Sequence, residues 1–377
     1  MLPEPFQDSR RLTGCNPYFA GTGAALESAG AMPDPAAVQR WRVAVQAMRD
    51  ALGWPDGPLH ARLHASGAVL AFAAPFDQLY TATELNEWAW WRALLDPSSS
   101  QGRREQPGLA FDLPHAPGHP ALWDVELAAH TLQAGARAEA RPELRALQAA
   151  ADARGLPFLL DEDELSLGLG AGGRSWFLDD LPVPGQVPWP LLHTIPTALV
   201  TGSNGKTTVV RLLAALCRAH GWRTAHCCTD GVFMDGREIE AGDFSGPAGA
   251  REALRQGDAR AAVLETARGG LLRRGLALCR AEVAVVTNIS ADHFGEYGVH
   301  DLDDLAAVKL TVARAIGPCG RLVLNADDPV LLRHAPTLDC PLAGFALDFD
   351  APALAAMRAA GQPTCGVRAG RLLLAGA

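Results

Sequence analysis

Val200-Thr201-Gly202-Ser203-Asn204-Gly205-Lys206-Thr207-Thr208 lies where the apolar run Ala198-Leu199-Val200 gives way to a helical pattern with apolar residues at Val209, Leu212, Leu213 and Leu216. A glycine-rich turn between a strand and a helix N-terminus, closed by Gly-Lys-Thr, is built to hold phosphate. Backbone N–H groups and the positive end of the helix dipole face the anion, the lysine reaches the outer phosphates, and the threonine hydroxyl suits Mg²⁺. Gly202, Ser203, Asn204, Gly205, Lys206, Thr207 and Thr208 are therefore the first nucleotide-binding candidates. The loop reads Gly-x-x-Gly-Lys-Thr-Thr, with Val200 standing where the usual P-loop pattern has its first glycine.

On either side of this loop, from Ile195 onwards, strands alternate with helices. Strands are expected at Thr197–Thr201, Thr224–Thr229, Ala261–Glu265, Glu282–Asn288 and Arg321–Asn325, and helices at Thr207–His220, Ala248–Gln256 and Leu302–Ile316. That rhythm belongs to a parallel, helix-covered sheet. Ligands of such sheets sit at the carboxyl ends of the strands, which here carry Thr201, Asp230, Glu265, Asn288 and Asn325. The expected fold is α/β, a P-loop-containing parallel sheet with flanking helices over residues 186–377, preceded by a smaller α+β domain over residues 1–185.

The N-terminal part is less legible. Val38, Trp41, Val45, Met48 and Leu52 give one helical face over Ala36–Leu52, ended by Gly53-Trp54-Pro55. A strand is expected at Ala68–Phe72 and a helix at Thr81–Leu95, whose Trp88, Trp90 and Trp91 read as core. Pro97–Pro120 reads as a loop in which His115 and His119 lack partner spacing for a metal. One or two helices follow over Trp123–Arg154, interrupted at Gly135 and Pro142. Strands are then expected at Phe158–Leu160, Leu165–Leu169 and Ser175–Phe177, before a proline-rich linker at Asp179–Pro190.

Composition narrows the class. The 377 residues suggest two to three domains, and a net charge of −9 argues against a nucleic-acid partner. No apolar run approaches membrane-spanning length, the N-terminus lacks a signal-peptide layout, and the eight cysteines show no Cys-x-x-Cys pair. The expected location is cytoplasmic. Of the 33 basic residues, all but Lys206 and Lys309 are arginine. Where arginine serves every ordinary need for charge, a surviving lysine marks a place where the amine itself is needed.

Mg²⁺ prefers hard oxygen donors and few of them from protein. Thr207 is one candidate and Glu265 another, with a helix-capping role for Glu265 as the competing reading. His293 in Thr287-Asn288-Ile289-Ser290-Ala291-Asp292-His293 is a candidate second metal ligand, with Asp292 orienting it.

Taken together, Gly202-x-x-Gly205-Lys206-Thr207-Thr208, Leu264-Glu265-Thr266-Ala267-Arg268-Gly269-Gly270, Thr287-Asn288-Ile289 with Asp292-His293, Lys309, and Asn325-Ala326-Asp327-Asp328-Pro329 resemble the central domain of the Mur ligase superfamily. Thr229-Asp230-Gly231 and Gly242-Asp243-Phe244-Ser245-Gly246-Pro247 are similar to its cyanophycin synthetase branch. The resemblance implies an ATP- and Mg²⁺-dependent ligase that phosphorylates a carboxylate and lets an amine, usually an amino acid's, displace the phosphate. In that branch the pair is arginine and an aspartate side chain. It implies catalytic roles for Lys206, His293 and Lys309, the last as a carbamate in many members. Metal contacts would come from Thr207, Glu265 and His293. Nucleotide contacts would extend to Asn288, Asn325 and Asp328, with Asn325 near the adenine and Asp328 close to the ribose or the domain linker. The family's C-terminal Rossmann-like domain finds no counterpart before Ala377. An ATP-binding regulatory or non-catalytic subunit is the alternative expectation, as is a partner chain or homo-oligomer supplying that domain.

Overall fold

The structure is a computed structural model that describes residues 5–94, 125–291 and 294–376. The Pro97–Pro120 loop with His115 and His119 lies outside the described residues, as does Asp292-His293. The chain forms two compact units. The first comprises Met1–Thr13, Tyr18–Pro142 and Gly295–Gly298, and the second Gly14–Pro17, Glu143–Phe294 and Val299–Ala377.

The first unit runs β1 (Phe6–Leu12), β2 (Gly23–Ser28), α1 (Pro35–Leu52), β3 (Leu59–His64), β4 (Gly67–Ala73), α2 (Leu79–Leu94) and α3 (Val125–Glu139). Its antiparallel sheet has the order β1-β2-β4-β3. Strand alternation turns Ala24, Leu26, Leu70 and Phe72 to one face, where they pack with Trp41, Val45, Met48, Leu85 and Leu132 of the helices. The tryptophans read as core are core: Trp88, Trp90 and Trp91 are all buried. Helix α1 starts where Asp34 accepts a hydrogen bond from the Ala36 N–H at 2.9 Å and stops at Gly53 in the left-handed region. Gly135 does not interrupt α3. A Cβ there would stand 3.0 Å from Thr81 Oγ1, so the glycine serves a close approach to α2.

The second unit opens with α4 (Pro142–Asp152) and a small antiparallel sheet of β5 (Phe158–Leu160), β6 (Glu164–Leu167) and β7 (Arg174–Phe177). Residues 143–185, expected as part of the N-terminal domain, pack in the fold with the segment Arg251–Ala259. Arg251 and Arg255 both pair with Asp161, Arg255 Nε donates to Ser166 Oγ at 2.6 Å, and the Ala171 N–H donates to Ala259 O at 2.8 Å.

The chain continues through β8 (Thr197–Thr201), α5 (Lys206–Ala219), β9 (Thr224–Cys228), β10 (Gly231–Met234), β11 (Arg237–Ala241), α6 (Pro247–Leu254), β12 (Ala261–Glu265), α7 (Arg268–Arg273), β13 (Ala281–Val286), α8 (Leu302–Lys309), β14 (Ile316–Asn325), α9 (Pro329–His334), β15 (Leu342–Asp348), α10 (Pro352–Ala359), β16 (Thr364–Arg368) and β17 (Arg371–Ala375). Among the described residues they build one ten-stranded sheet in the order β11-β10-β9-β12-β8-β13-β14-β15-β16-β17. The strands from β9 across to β16 are parallel, extended by the antiparallel β10 and β11 on one side and β17 on the other. The chain leaves β12 on one side of β8 and returns as β13 on the other. The topological switch, where such sheets open a binding crevice, therefore falls at the carboxyl end of β8. The expected helix over Leu302–Ile316 ends at Lys309 and tightens into a 3₁₀ segment, Leu310–Ala315, before entering β14. No helix among the described residues is long and apolar enough to cross a membrane.

Candidate active site

The Gly202–Thr208 loop leaves β8 at the switch and enters α5. Gly202 has φ 142°, and a Cβ there would stand 1.9 Å from Thr287 Oγ1. Gly205 precedes α5 at φ 78°, in the left-handed region that favours glycine. The N–H groups of Lys206, Thr207 and Thr208, in the first turn of α5, have no acceptor within the helix and are available to an anion. Exchanging Gly202 for alanine is expected to cost on the order of 3 kcal/mol in urea unfolding and to remove nucleotide binding in an ATP titration, because both φ and the Thr287 contact oppose a side chain.

The segment after β13 braces the loop from the neighbouring strand. Asn288 Oδ1 accepts from the Asn204 N–H at 3.1 Å, and Asn288 Nδ2 returns a bond to Asn204 O at 3.2 Å. The Ser203 N–H donates to Asn288 O at 2.9 Å. Thr287 Oγ1 donates to Asn204 O at 2.7 Å, while Ser203 Oγ and Ser290 exchange two bonds of 3.0 Å. Asn288 therefore shapes the loop by holding Asn204 on both sides. Thr287 and Ser290 escape a reading of site residues from sequence, and only their position directly after a buried strand could have marked them.

Lys206 Nζ lies 3.2 Å from Ser203 O, folded back over the loop. Lys309, at the end of α8, is 1% exposed and donates from Nζ to Gly202 O at 2.8 Å. The two lysines of the chain thus both contact carbonyls of the same loop, one from within it and one from the next helical layer.

Opposite them, Thr207 Oγ1 donates to Glu265 Oε2 at 2.8 Å and lies 3.0 Å from Thr229 Oγ1. Glu265, at the carboxyl end of β12, is 1% exposed. Burial pushes its carboxyl above the usual range, while the Thr207 hydroxyl and the Lys206 charge pull the other way. Its Oε1 is buried with no hydrogen-bond partner, and so is Thr201 Oγ1. A buried carboxylate oxygen left unpaired beside a threonine hydroxyl is unfavourable unless a cation completes it. These hard oxygen donors fit Mg²⁺, which takes few protein ligands and fills its shell with water and phosphate oxygens. Among the described residues no group of three or more His, Cys, Asp or Glu side chains is placed to hold a metal. His293, expected as a second metal ligand, lies outside the described residues.

Asn325 and Asp328 occupy bracing positions. Asn325 Nδ2 donates to Thr287 O at 2.9 Å, tying the end of β14 to that of β13. Asp328 caps α9, accepting from the Val330 and Leu331 N–H groups at 2.8 and 3.2 Å on Oδ1 and from the Ile289 N–H at 2.6 Å on Oδ2. Its carboxylate is buried. Asp328→Ala would strand three buried donors and is expected to destabilise by about 3 kcal/mol in urea unfolding. Of the other strand ends, Asp230 is exposed and pairs with Arg211 at 3.1 Å, and Asp243 accepts from Ser245 Oγ at 2.7 Å. A small cavity is lined by Glu265, Thr266, Gly246, Pro247, Leu271 and Leu278.

A glycine-rich loop at the switch point of a parallel sheet, facing a buried carboxylate on the adjacent strand, is the arrangement of α/β domains of the P-loop class. Residues 200–362 match the model of the Mur ligase middle domain family. Cyanophycin synthetase of Synechocystis sp. (strain ATCC 27184 / PCC 6803 / Kazusa) is 41% identical over 160 residues, covering 42% of this chain and 18% of that protein. The corresponding enzyme of Trichormus variabilis is 42% identical over 156 residues, 41% of this chain and 17% of its own. UDP-N-acetylmuramate--L-alanine ligase of Polaromonas naphthalenivorans is 29% identical over 152 residues, 40% of this chain and 28% of the ligase. The chain thus spans less than a fifth of the length of the cyanophycin synthetases it matches. Among solved structures, a UDP-N-acetylmuramoyl-L-alanyl-D-glutamate--2,6-diaminopimelate ligase aligns at TM-score 0.33 and 24% identity, over 42% of this chain and 33% of its own.

Proposed function

We propose that the second unit is the ATP-binding part of a carboxylate–amine ligase working through an acyl phosphate, with arginine and an aspartate or peptide carboxylate as the leading substrate pair. The observation that carries this reading is the Thr207–Glu265 contact of 2.8 Å with Glu265 Oε1 left unpaired beside the phosphate loop. In the reaction, a carboxylate oxygen attacks the γ-phosphorus of ATP and ADP leaves. The amine nitrogen then attacks the acyl carbon, loses a proton, and expels inorganic phosphate.

Several groups of the chain serve the first step. The N–H groups opening α5 hold the β- and γ-phosphates, and Lys206, released from Ser203 O, neutralises charge that builds on the transferring phosphoryl group. Lys309 fixes the Gly202 carbonyl, and with it the start of the loop. Thr207 and Glu265 would hold Mg²⁺, which when bound offsets the phosphate charge.

The test is isotopic. With carboxylate-¹⁸O substrate, ATP, Mg²⁺ and an amino acid, amide formation is expected to transfer one ¹⁸O to inorganic phosphate. ADP and amide formed without ¹⁸O in the phosphate would rule out the acyl phosphate. Tight ATP binding with no turnover across a panel of carboxylates and amines would favour a regulatory nucleotide-binding role instead.

A further inference from the structure

Cys15 and Cys279, 264 positions apart in sequence, meet in the second unit. Cys279 Sγ is hydrogen-bonded by both the thiol and the backbone N–H of Cys15. Backbone contacts fix the approach: the Leu276 N–H donates to Cys15 O at 2.7 Å. A Cβ on Gly14 would stand 2.1 Å from Leu276 O, and one on Gly275 would stand 2.6 Å from Cys15 O. The two segments therefore lie against each other only because glycine stands at both positions.

The two thiols differ in access and acidity. Cys279 is exposed and Cys15 is 2% exposed. The Cys15 hydrogen bonds lower the Cys279 thiol to about 6, against burial and the Asp152 charge, which raise it. Those hydrogen bonds favour the thiolate of Cys279, the nucleophilic form, with the shielded Cys15 thiol behind it.

We propose that Cys279 and Cys15 form a thiol–disulfide exchange site for small disulfides of the glutathione class, with Cys279 attacking and Cys15 resolving. The Cys279 thiolate attacks one sulfur of the small disulfide, forming a mixed disulfide and expelling one small thiolate. Cys15 then gives up its proton and attacks Cys279 Sγ, forming the Cys15–Cys279 bond and expelling the second small thiolate. The two protein thiols lose two electrons and two protons, and the small disulfide becomes two thiols. The bridge would pin Gly14–Pro17 onto Gly275–Cys279, where Gly275, Leu276 and Leu278 line the cavity that also contacts Glu265.

The test uses the whole chain equilibrated with oxidised glutathione, alkylated and mapped by mass spectrometry. A peptide joining Cys15 to Cys279 is expected, reversed by a dithiol reductant. In Cys15→Ser the linked peptide should vanish and a glutathione adduct accumulate on Cys279; in Cys279→Ser, Cys15 should remain unmodified. Wild-type protein in which both cysteines stay alkylatable, or in which Cys279 carries only glutathione or a second chain, would overturn the proposal.

Discussion

Lys309→Arg is expected to lower ATP-dependent turnover by about 100-fold or more, although the substitution keeps the positive charge. Lys309 is 1% exposed and its ammonium bonds Gly202 O at 2.8 Å, in a slot closed around a slender side chain. A planar guanidinium is larger, and overpacking a closed site costs roughly 1–3 kcal/mol. Here the strain would fall on the carbonyl that starts the phosphate loop. Arginine also cannot supply a neutral amine, so carbamate formation at this position, implied by the family resemblance, would be closed to the variant. Steady-state ADP release measures the effect, with urea unfolding to separate loss of fold from loss of function. A folded, fully active Lys309→Arg protein would contradict both the bracing and the carbamate role.

Glu265→Gln is expected to stabilise the protein without nucleotide and to weaken Mg²⁺-dependent ATP binding at least ~10-fold. The amide oxygen can still accept from Thr207, so the hydroxyl contact survives. The buried charge does not. The Glu265 carboxyl is raised above its ordinary value of 4.5 in the folded protein, chiefly by burial. A raised carboxyl means that the folded state holds its proton longer than the unfolded one, so stability is complete below about 4.5 and is lost as pH rises through the folded value. The glutamine variant escapes that loss. The gap in melting temperature between variant and wild type should therefore open as pH rises above the ordinary carboxyl range. Mg²⁺ with ATP should reverse it by stabilising the wild type alone. A melting temperature of the variant that tracks the wild type at every pH and rises equally with Mg·ATP would remove Glu265 from the metal site.

The parts of the fold readable in advance are those specified locally. Thr197–Thr201 and Ala261–Glu265 are buried parallel strands, continuous in apolar character and ended by a polar residue, and both stand at the residues expected. The phosphate loop was legible because its glycines and lysine carry the chemistry themselves. What escaped depends on distant partners. Residues 143–185 join the second unit through Asp161 with Arg251 and Arg255, a pairing no local pattern announces. Strand β14 begins at Ile316, ahead of the expected Arg321, because pairing with β13 extends it. The strands after Asn325 went unread, since Leu342–Asp348 and Thr364–Arg368 mix glycine and charge into short runs and gain their identity from the growing sheet edge. In the site, the direct Thr207–Glu265 contact comes from the sheet order, which sets β12 beside β8, and not from the order of the two residues along the chain. The bonds of Asp328 to Ile289, Val330 and Leu331 likewise depend on β13 and α9 being adjacent, which the Asn-Ala-Asp-Asp run does not announce.

Calorimetric titration of the chain with ATP, in Mg²⁺ and then in EDTA, is the most direct test of a Mg·ATP site built from the Gly202–Thr208 loop and Glu265. Saturable one-to-one binding that weakens at least ~10-fold without Mg²⁺, and loses that dependence in Glu265→Gln, is the expected result. No binding in either buffer, or equal binding in both, would contradict it.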